Sequence, residues 1–154
     1  MKHLKIGDKA PGFTVNDENG KSVSLSDFVG KRVVIYFYPK DNTPGCTMQA
    51  CNIRDNYSVI KEKGIVILGV SADTEEKHQK FIEKFDLPFP LLADVEHKLL
   101  NLFGVWGEKK FMGKTYDGIH RTTFVMDKEH TIIGIIEKPK TKDHTREILE
   151  IYED

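Results

Sequence analysis

Hydrophobic residues along this chain change their period several times, and each change predicts an element. From Val33 to Tyr38 six residues in succession are aliphatic or aromatic (VVIYFY), and Ile65 to Val70 (IVILGV) repeats the pattern. Unbroken runs of this kind predict central strands covered on both faces. Before them, Phe13–Val15 is a short strand candidate, and Val23 and Leu25 alternate with serines after the turn-forming Asn16–Lys21 (NDENGK). Ser26–Phe28 reads as one helical turn that Gly30 ends. Between the two long runs the spacing becomes helical: Cys46, Ala50, Ile53, Tyr57 and Ile60 recur at i, i+4, i+7, i+11 and i+14. Thr43 before Pro44 reads as N-cap and first helical residue, because proline lacks an N–H that would go unused there, and Gly64 is a natural stop.

A second helix is predicted after Asp73 or Thr74, with Glu75 and Glu76 favourable in its first turn and Phe81, Ile82 and Phe85 along its buried edge. Pro88 lies past its end. Phe89–Ala93 is a short strand, and Val95, Leu99, Leu102 and Phe103 line a further helix closed by Gly104. Val105–Ile119 has no clear period and holds three glycines, so a long loop is expected, functional or mobile. Arg121–Met126 and Thr131–Ile136 form a hairpin around Asp127–His130, and a last helix from about Asp143 buries Ile148, Leu149 and Tyr152. Alternating strands and helices imply right-handed crossovers and a parallel middle, to which the hairpin adds antiparallel strands. The expected fold is an α/β three-layer sandwich, a mixed central sheet with helices on both faces, resembling the thioredoxin-like architecture.

At 154 residues one domain spanning 1–154 is expected, long enough for a core that needs neither disulfide nor metal. The 23 basic and 24 acidic residues are interspersed, so neither nucleic acid nor a membrane surface is an expected partner. The N-terminal MKHLKIGDKAPGF lacks the apolar core of a signal peptide, and no segment reaches membrane-spanning length. A cytoplasmic location is therefore expected. Thiols stay reduced there, so two cysteines are more naturally catalytic, redox-active or metal-binding than a permanent staple.

Cys46 falls in the first turn of the predicted helix, where unpaired N–H groups and the macrodipole favour a thiolate. Gly45 leaves room beside it, Lys40 adds positive charge, and the Thr43 hydroxyl is free to cap the helix or to meet a bound oxygen. By position alone Cys46 is equally a small core residue on an apolar stripe. Cys51 lies five residues on; in an α-helix that puts the two α-carbons roughly 8.5–9 Å apart, whereas a disulfide needs them within about 7 Å. A bond between them requires the helix to unwind; otherwise Cys51 is inert packing. Zinc sites space a cysteine pair by about two to four residues and need two more ligands, while His78, His97, His120, His130 and His144 are scattered, so no metal is expected.

The segment PKDNTPGC matches the peroxiredoxin signature Pro-x-x-x-Thr/Ser-x-x-Cys at Pro39, Thr43 and Cys46. The following GCTMQACNIRDNY, and the block GVWGEKKFMGKTYDGIHRTTFVMD from Gly104 to Asp127, resemble the bacterioferritin comigratory protein or peroxiredoxin Q branch of that family. The resemblance covers nearly the whole chain. It implies a thiol peroxidase of antioxidant defence that reduces hydrogen peroxide or organic hydroperoxides. Cys46 would be the peroxidatic nucleophile, Cys51 the resolving cysteine, and thioredoxin the reductant of the resulting disulfide. Thr43 would orient the peroxide, Pro39 shield the pocket, and Arg121 pair with the sulfur. No metal, flavin or haem cofactor is implied, and a monomer, at most a weak dimer, is expected. Two other functions fit the same cysteines: a thiol–disulfide oxidoreductase, although that class carries Cys-x-x-Cys, and a redox sensor whose helix unwinds on oxidation.

Overall fold

The two unbroken apolar runs become β3 (Arg32–Phe37) and β4 (Ile65–Ser71), parallel neighbours in the middle of a sheet. The computed structural model describes residues 4–153. With β5 (Leu91–Ala93), β8 (Thr122–Met126) and β9 (Ile132–Glu137) they form five strands in the order β5-β4-β3-β8-β9, the last two antiparallel. Stepping from β3 to β4 to β5 with right-handed crossovers must put both connecting helices on one face. That face carries α1 (Pro44–Asp55), α2 (Tyr57–Glu62) and α3 (Glu75–Phe85), joined by the final α5 (His144–Tyr152). Its core holds Val34, Tyr36, Tyr38, Cys46, Ile53, Phe81 and Ile148. The return from β5 to β8 crosses the other face, where the short α4 (Lys98–Leu102) lies with a 3-10 turn, Leu25–Phe28. The antiparallel pair β1 (Thr14–Asn16) and β2 (Ser22–Ser24) covers the rest of that face. Helices thus lie on both faces, as expected, but unevenly.

Three expectations need correction. Val105–Ile119 is not a loop: it forms a hairpin of β6 (Trp106–Phe111) and β7 (Lys114–Ile119). Its turn, Met112–Gly113, has φ of 51° and 79°, the double left-handed geometry that suits a two-residue hairpin. Nearly all its side chains are exposed or half-buried, so no apolar alternation exists for a period to reveal. The helix expected from Val95 starts only at Lys98. Asp94 takes the Leu100 N–H on its side chain (2.7 Å) and the His97 N–H on its carbonyl (2.9 Å), a turn that leaves Val95 exposed. Finally, the helix carrying both cysteines is broken at Asn56. The Asn56 side-chain amide takes the Asn52 carbonyl (2.8 Å) that its own N–H would use in a continuous helix, and that N–H bonds Ile53 instead.

Asn52 also docks α1 on α5. Its Oδ1 accepts from the Thr145 N–H (2.8 Å), its Nδ2 donates to the Lys142 carbonyl (2.9 Å), and its carbonyl accepts from the Thr145 hydroxyl (3.3 Å). Gly69 in β4 is required by close approach: a Cβ there would stand 2.7 Å from Leu91 and 3.0 Å from the Tyr36 ring.

His144, fully buried at the start of α5, meets Glu147 through Nδ1 (2.9 Å) and the Thr123 hydroxyl through Nε2 (2.9 Å). Burial lowers its pKa below 6.5, against a weaker upward pull from Glu147. Above about 6.5 the folded and unfolded chains both hold it neutral; as pH falls through that value the unfolded chain takes up the proton first and stability is lost. Urea midpoints measured between about pH 7.5 and 5.5 should fall on the acid side, and His144→Gln should flatten that slope; an unchanged slope would exclude His144 as its source.

Candidate active site

The strand β3 runs out at Tyr38, Pro39 turns the chain, and Thr43 caps α1 with extended geometry (φ −97°, ψ 155°) before Pro44 starts the helix. The Thr43 hydroxyl does not cap the helix; it donates to the Lys40 carbonyl at 2.9 Å. Cys46 follows, 1% exposed, on the face of α1 that packs against β3. Lys40, in the same segment, is exposed.

Arg121 arrives from the other half of the sheet, immediately before β8. Its Nη2 donates to Cys46 Sγ at 3.2 Å, and its Nη1 donates to Gln49 Oε1 at 2.6 Å. The guanidinium is thus spread between the sulfur and an amide on the same helix. The sulfur meets a cation on one side and lies in the first turn of a helix, where the backbone N–H groups have no intrahelical partner, on the other. Gly45 belongs to the same packing: a Cβ there would lie 3.4 Å from Arg121 Nη2. Arg121, 75 residues further along the chain, is thus brought onto the Cys46 sulfur, while Pro39 and Thr43 lie in the segment that leads into the same helix. Cys51 is half-buried further along α1, and both thiols are free.

Gln49 was not singled out from sequence, although a signal existed: it stands three residues after Cys46 and so shares its helix face. It is fully buried, and its Nε2 has no hydrogen-bond partner among the described residues, so Arg121 is the only side chain that orients it. Tyr36 lies beneath the same turn. Burial, and then the neighbouring Cys46, raise its pKa well above 10, so the phenol stays protonated.

A cavity of about 460 Å³ touches Arg121 but opens on the α4 face, among Leu4, Phe103, Val105 and Phe124; it includes neither Cys46 nor Thr43. Asp41, Asp73 and His78 bring possible metal-ligand atoms within 4.8 Å of one another. Those atoms are already engaged in hydrogen bonds to protein groups, Asp41 to His78 and Asp73 to Asp41 and Ser71. They form a hydrogen-bonded cluster. Among the described residues no helix is long and apolar enough to cross a membrane.

Residues 6–135 match the AhpC/TSA family. The chain is 51% identical to peroxiredoxin Bcp of Bacillus subtilis over 151 residues, 98% of this chain and 96% of that protein. It is also 51% identical to peroxiredoxin Bcp of Escherichia coli over 144 residues, 94% of this chain and 92% of the other. In three dimensions it is similar to the bacterioferritin comigratory protein of Xanthomonas campestris, solved in a study of its alkyl peroxide reduction. The TM-score is 0.85 at 32% identity, covering 92% of this chain and 90% of that one. The expected thioredoxin-like layout is the one these structures share.

Proposed function

Since this chain belongs to the AhpC/TSA family, alongside the Bcp peroxiredoxins, we propose that it is a thiol peroxidase whose nucleophile is Cys46. The observation that carries the assignment is the 3.2 Å contact from Arg121 Nη2 to Cys46 Sγ at the N-terminus of α1. The thiolate attacks the terminal oxygen of ROOH; the S–O bond forms as the O–O bond breaks, and RO⁻ leaves to take a proton as water or an alcohol. Cys46 becomes a sulfenic acid. Arg121 stabilises the thiolate and the oxygens as negative charge passes along them, the Thr43 oxygen accepts from the peroxide hydrogen, and Pro39 walls the turn against water. Hydrogen peroxide or a small organic hydroperoxide suits a sulfur that is 1% exposed, whereas a disulfide on another protein does not reach it.

Cys51 then attacks the sulfenic sulfur, water leaves, and a Cys46–Cys51 disulfide results. An external dithiol reduces it by exchange, and thioredoxin is the reductant proposed. A cytoplasm, which keeps thiols reduced, is the compartment this cycle suits. Steady-state kinetics over a panel of peroxides with thioredoxin as electron donor tests the whole reading; no turnover above the protein-free rate would sink it.

The division of labour has its own test. Cys51→Ser should react once with peroxide at an unchanged rate and then stall as Cys46 sulfenic acid, with turnover under thioredoxin down at least about 10²-fold. A small added thiol should restore part of the rate. Normal cycling of this variant with thioredoxin would remove Cys51 from the resolving role.

A further inference from the structure

The loop between β3 and α1 is anchored by a buried polar cluster outside the reacting atoms. Asp41 lies two residues past Pro39 and is 8% exposed, and both its carboxylate oxygens and its backbone N–H are hydrogen-bonded. Oδ1 accepts from the Tyr38 hydroxyl at 2.5 Å, and Oδ2 meets His78 Nδ1 at 2.6 Å. Its backbone N–H donates to Asp73 Oδ2 at 2.8 Å. His78, fully buried on α3, faces the Leu92 carbonyl of β5 with Nε2 at 2.9 Å. Asp73 also accepts from the Ser71 hydroxyl at 2.7 Å. The end of β3, the end of β4, α3 and, through His78, β5 are therefore all tied to one loop residue, by its carboxylate and its backbone N–H.

The count of hydrogens is informative. The Leu92 carbonyl and the Asp41 carboxylate are both acceptors, so a hydrogen must fill each gap beside the His78 ring. Burial, and then Asp41, raise the Tyr38 pKa well above 10, which keeps its hydroxyl a donor. A buried cluster whose groups hydrogen-bond one another resists displacement, because each lost bond leaves a buried group unpaired.

Stiffness at Asp41 matters because the next residues form the site. Asn42 takes a left-handed φ of 59°, Thr43 follows as N-cap, and Cys46 lies three residues further on. Arg121, in contrast, is fixed from β8. Resting on the assignment of Cys46 as the peroxide nucleophile, we infer that Asp41 is a positioning residue. Held by Tyr38 and His78, it sets Thr43 and the first turn of α1 opposite Arg121.

The test compares two reactions of one sulfur, in a Cys51→Ser background so that Cys46 is the only thiol. Single-turnover oxidation by hydrogen peroxide needs the thiolate, Thr43 and Arg121 in register; alkylation by iodoacetamide needs only the thiolate. Asp41→Ala should slow oxidation about 10- to 100-fold, the scale of a reacting geometry displaced by about 1 Å, while alkylation stays within about threefold. Asp41→Asn should stay within about threefold of the parent in both reactions. Its amide can accept from Tyr38 and donate to a neutral His78, rebuilding the same bonds without the charge. Partial unfolding would also change the ratio, by exposing the buried sulfur to iodoacetamide, so both rates are measured only on variants whose urea denaturation curve shows them fully folded. Should Asp41→Ala fail to fold, Tyr38→Phe removes one hydroxyl and should lower the oxidation-to-alkylation ratio several-fold. An unchanged ratio in the variants that fold overturns the inference, as does Asp41→Asn behaving like Asp41→Ala, which would assign the effect to charge. If Cys46 in the parent is not oxidised at all, it is the nucleophile assignment that fails.

Discussion

Cys46→Ser should bring peroxide consumption down to the rate measured without protein, while the fold stays intact. The two side chains differ by one atom, and the serine oxygen can accept the same hydrogen bond from Arg121, so the 1% exposed site remains filled and paired. What disappears is the sulfur nucleophile: a serine hydroxyl has no neighbouring base among the described residues to deprotonate it, and oxygen attacks the O–O bond poorly. Enzymic accelerations of about 10⁶-fold or more rest on such a nucleophile, so the loss is expected to be complete within detection. The check is peroxide consumption beside a urea denaturation curve. A folded variant with substantial remaining turnover would move the nucleophile elsewhere, and Cys51 is the only other thiol.

Arg121→Met is the second large effect. Methionine retains an unbranched stem but none of the donors, so Cys46 loses its cation and Gln49 loses the partner of its Oε1. Removing a preorganised donor from a developing anion costs about 10²–10³-fold in rate, and the second-order rate constant with peroxide should fall by that much. Stability should fall too, by about 1–3 kcal/mol, because a buried amide is left unpaired at both ends. Arg121→Lys separates the two contributions. A single ammonium retains charge but cannot span sulfur and amide as the fork does, so it should recover stability or rate in part, not both in full. Equal rates in Arg121→Met and the parent would remove Arg121 from the chemistry.

How much of this was readable in advance differs element by element. Val33–Tyr38 and Ile65–Val70 announced the sheet centre because a strand covered on both faces leaves an unbroken apolar record. Thr43-Pro44 announced the start of α1 because capping chemistry is local. The β6–β7 hairpin left no record, since it is held by its backbone ladder and exposes Phe111, Met112 and Tyr116. The break at Asn56 was hidden because the apolar stripe continues across it: Tyr57 and Ile60 still pack on the same core. At the site, the residues of the PKDNTPGC segment and Arg121 were found through the motif and its family resemblance. Gln49 shares the helix face of Cys46 but looks like any polar helix residue. Asp41 and His78 stand 37 positions apart, and nothing in local spacing joins a loop aspartate to a helix histidine that the fold buries together.

The bonds of Asn52 decide which sulfur travels in the proposed cycle. That residue follows Cys51 directly and is held to the start of α5 by its side chain and its carbonyl together. The resolving thiol is thus moored at the docked end of α1, whereas Cys46 lies in the opening turns, with Arg121 as its sole side-chain hydrogen-bond partner among the described residues. To close the gap, Cys46 must come to Cys51. Doing so takes it away from Arg121, so the disulfide form has no assembled peroxide site. In the proposed cycle, capture of peroxide and repair of the sulfur then alternate, one geometry being dismantled to make the other, and the opening of α1 has to re-form before the next peroxide is met.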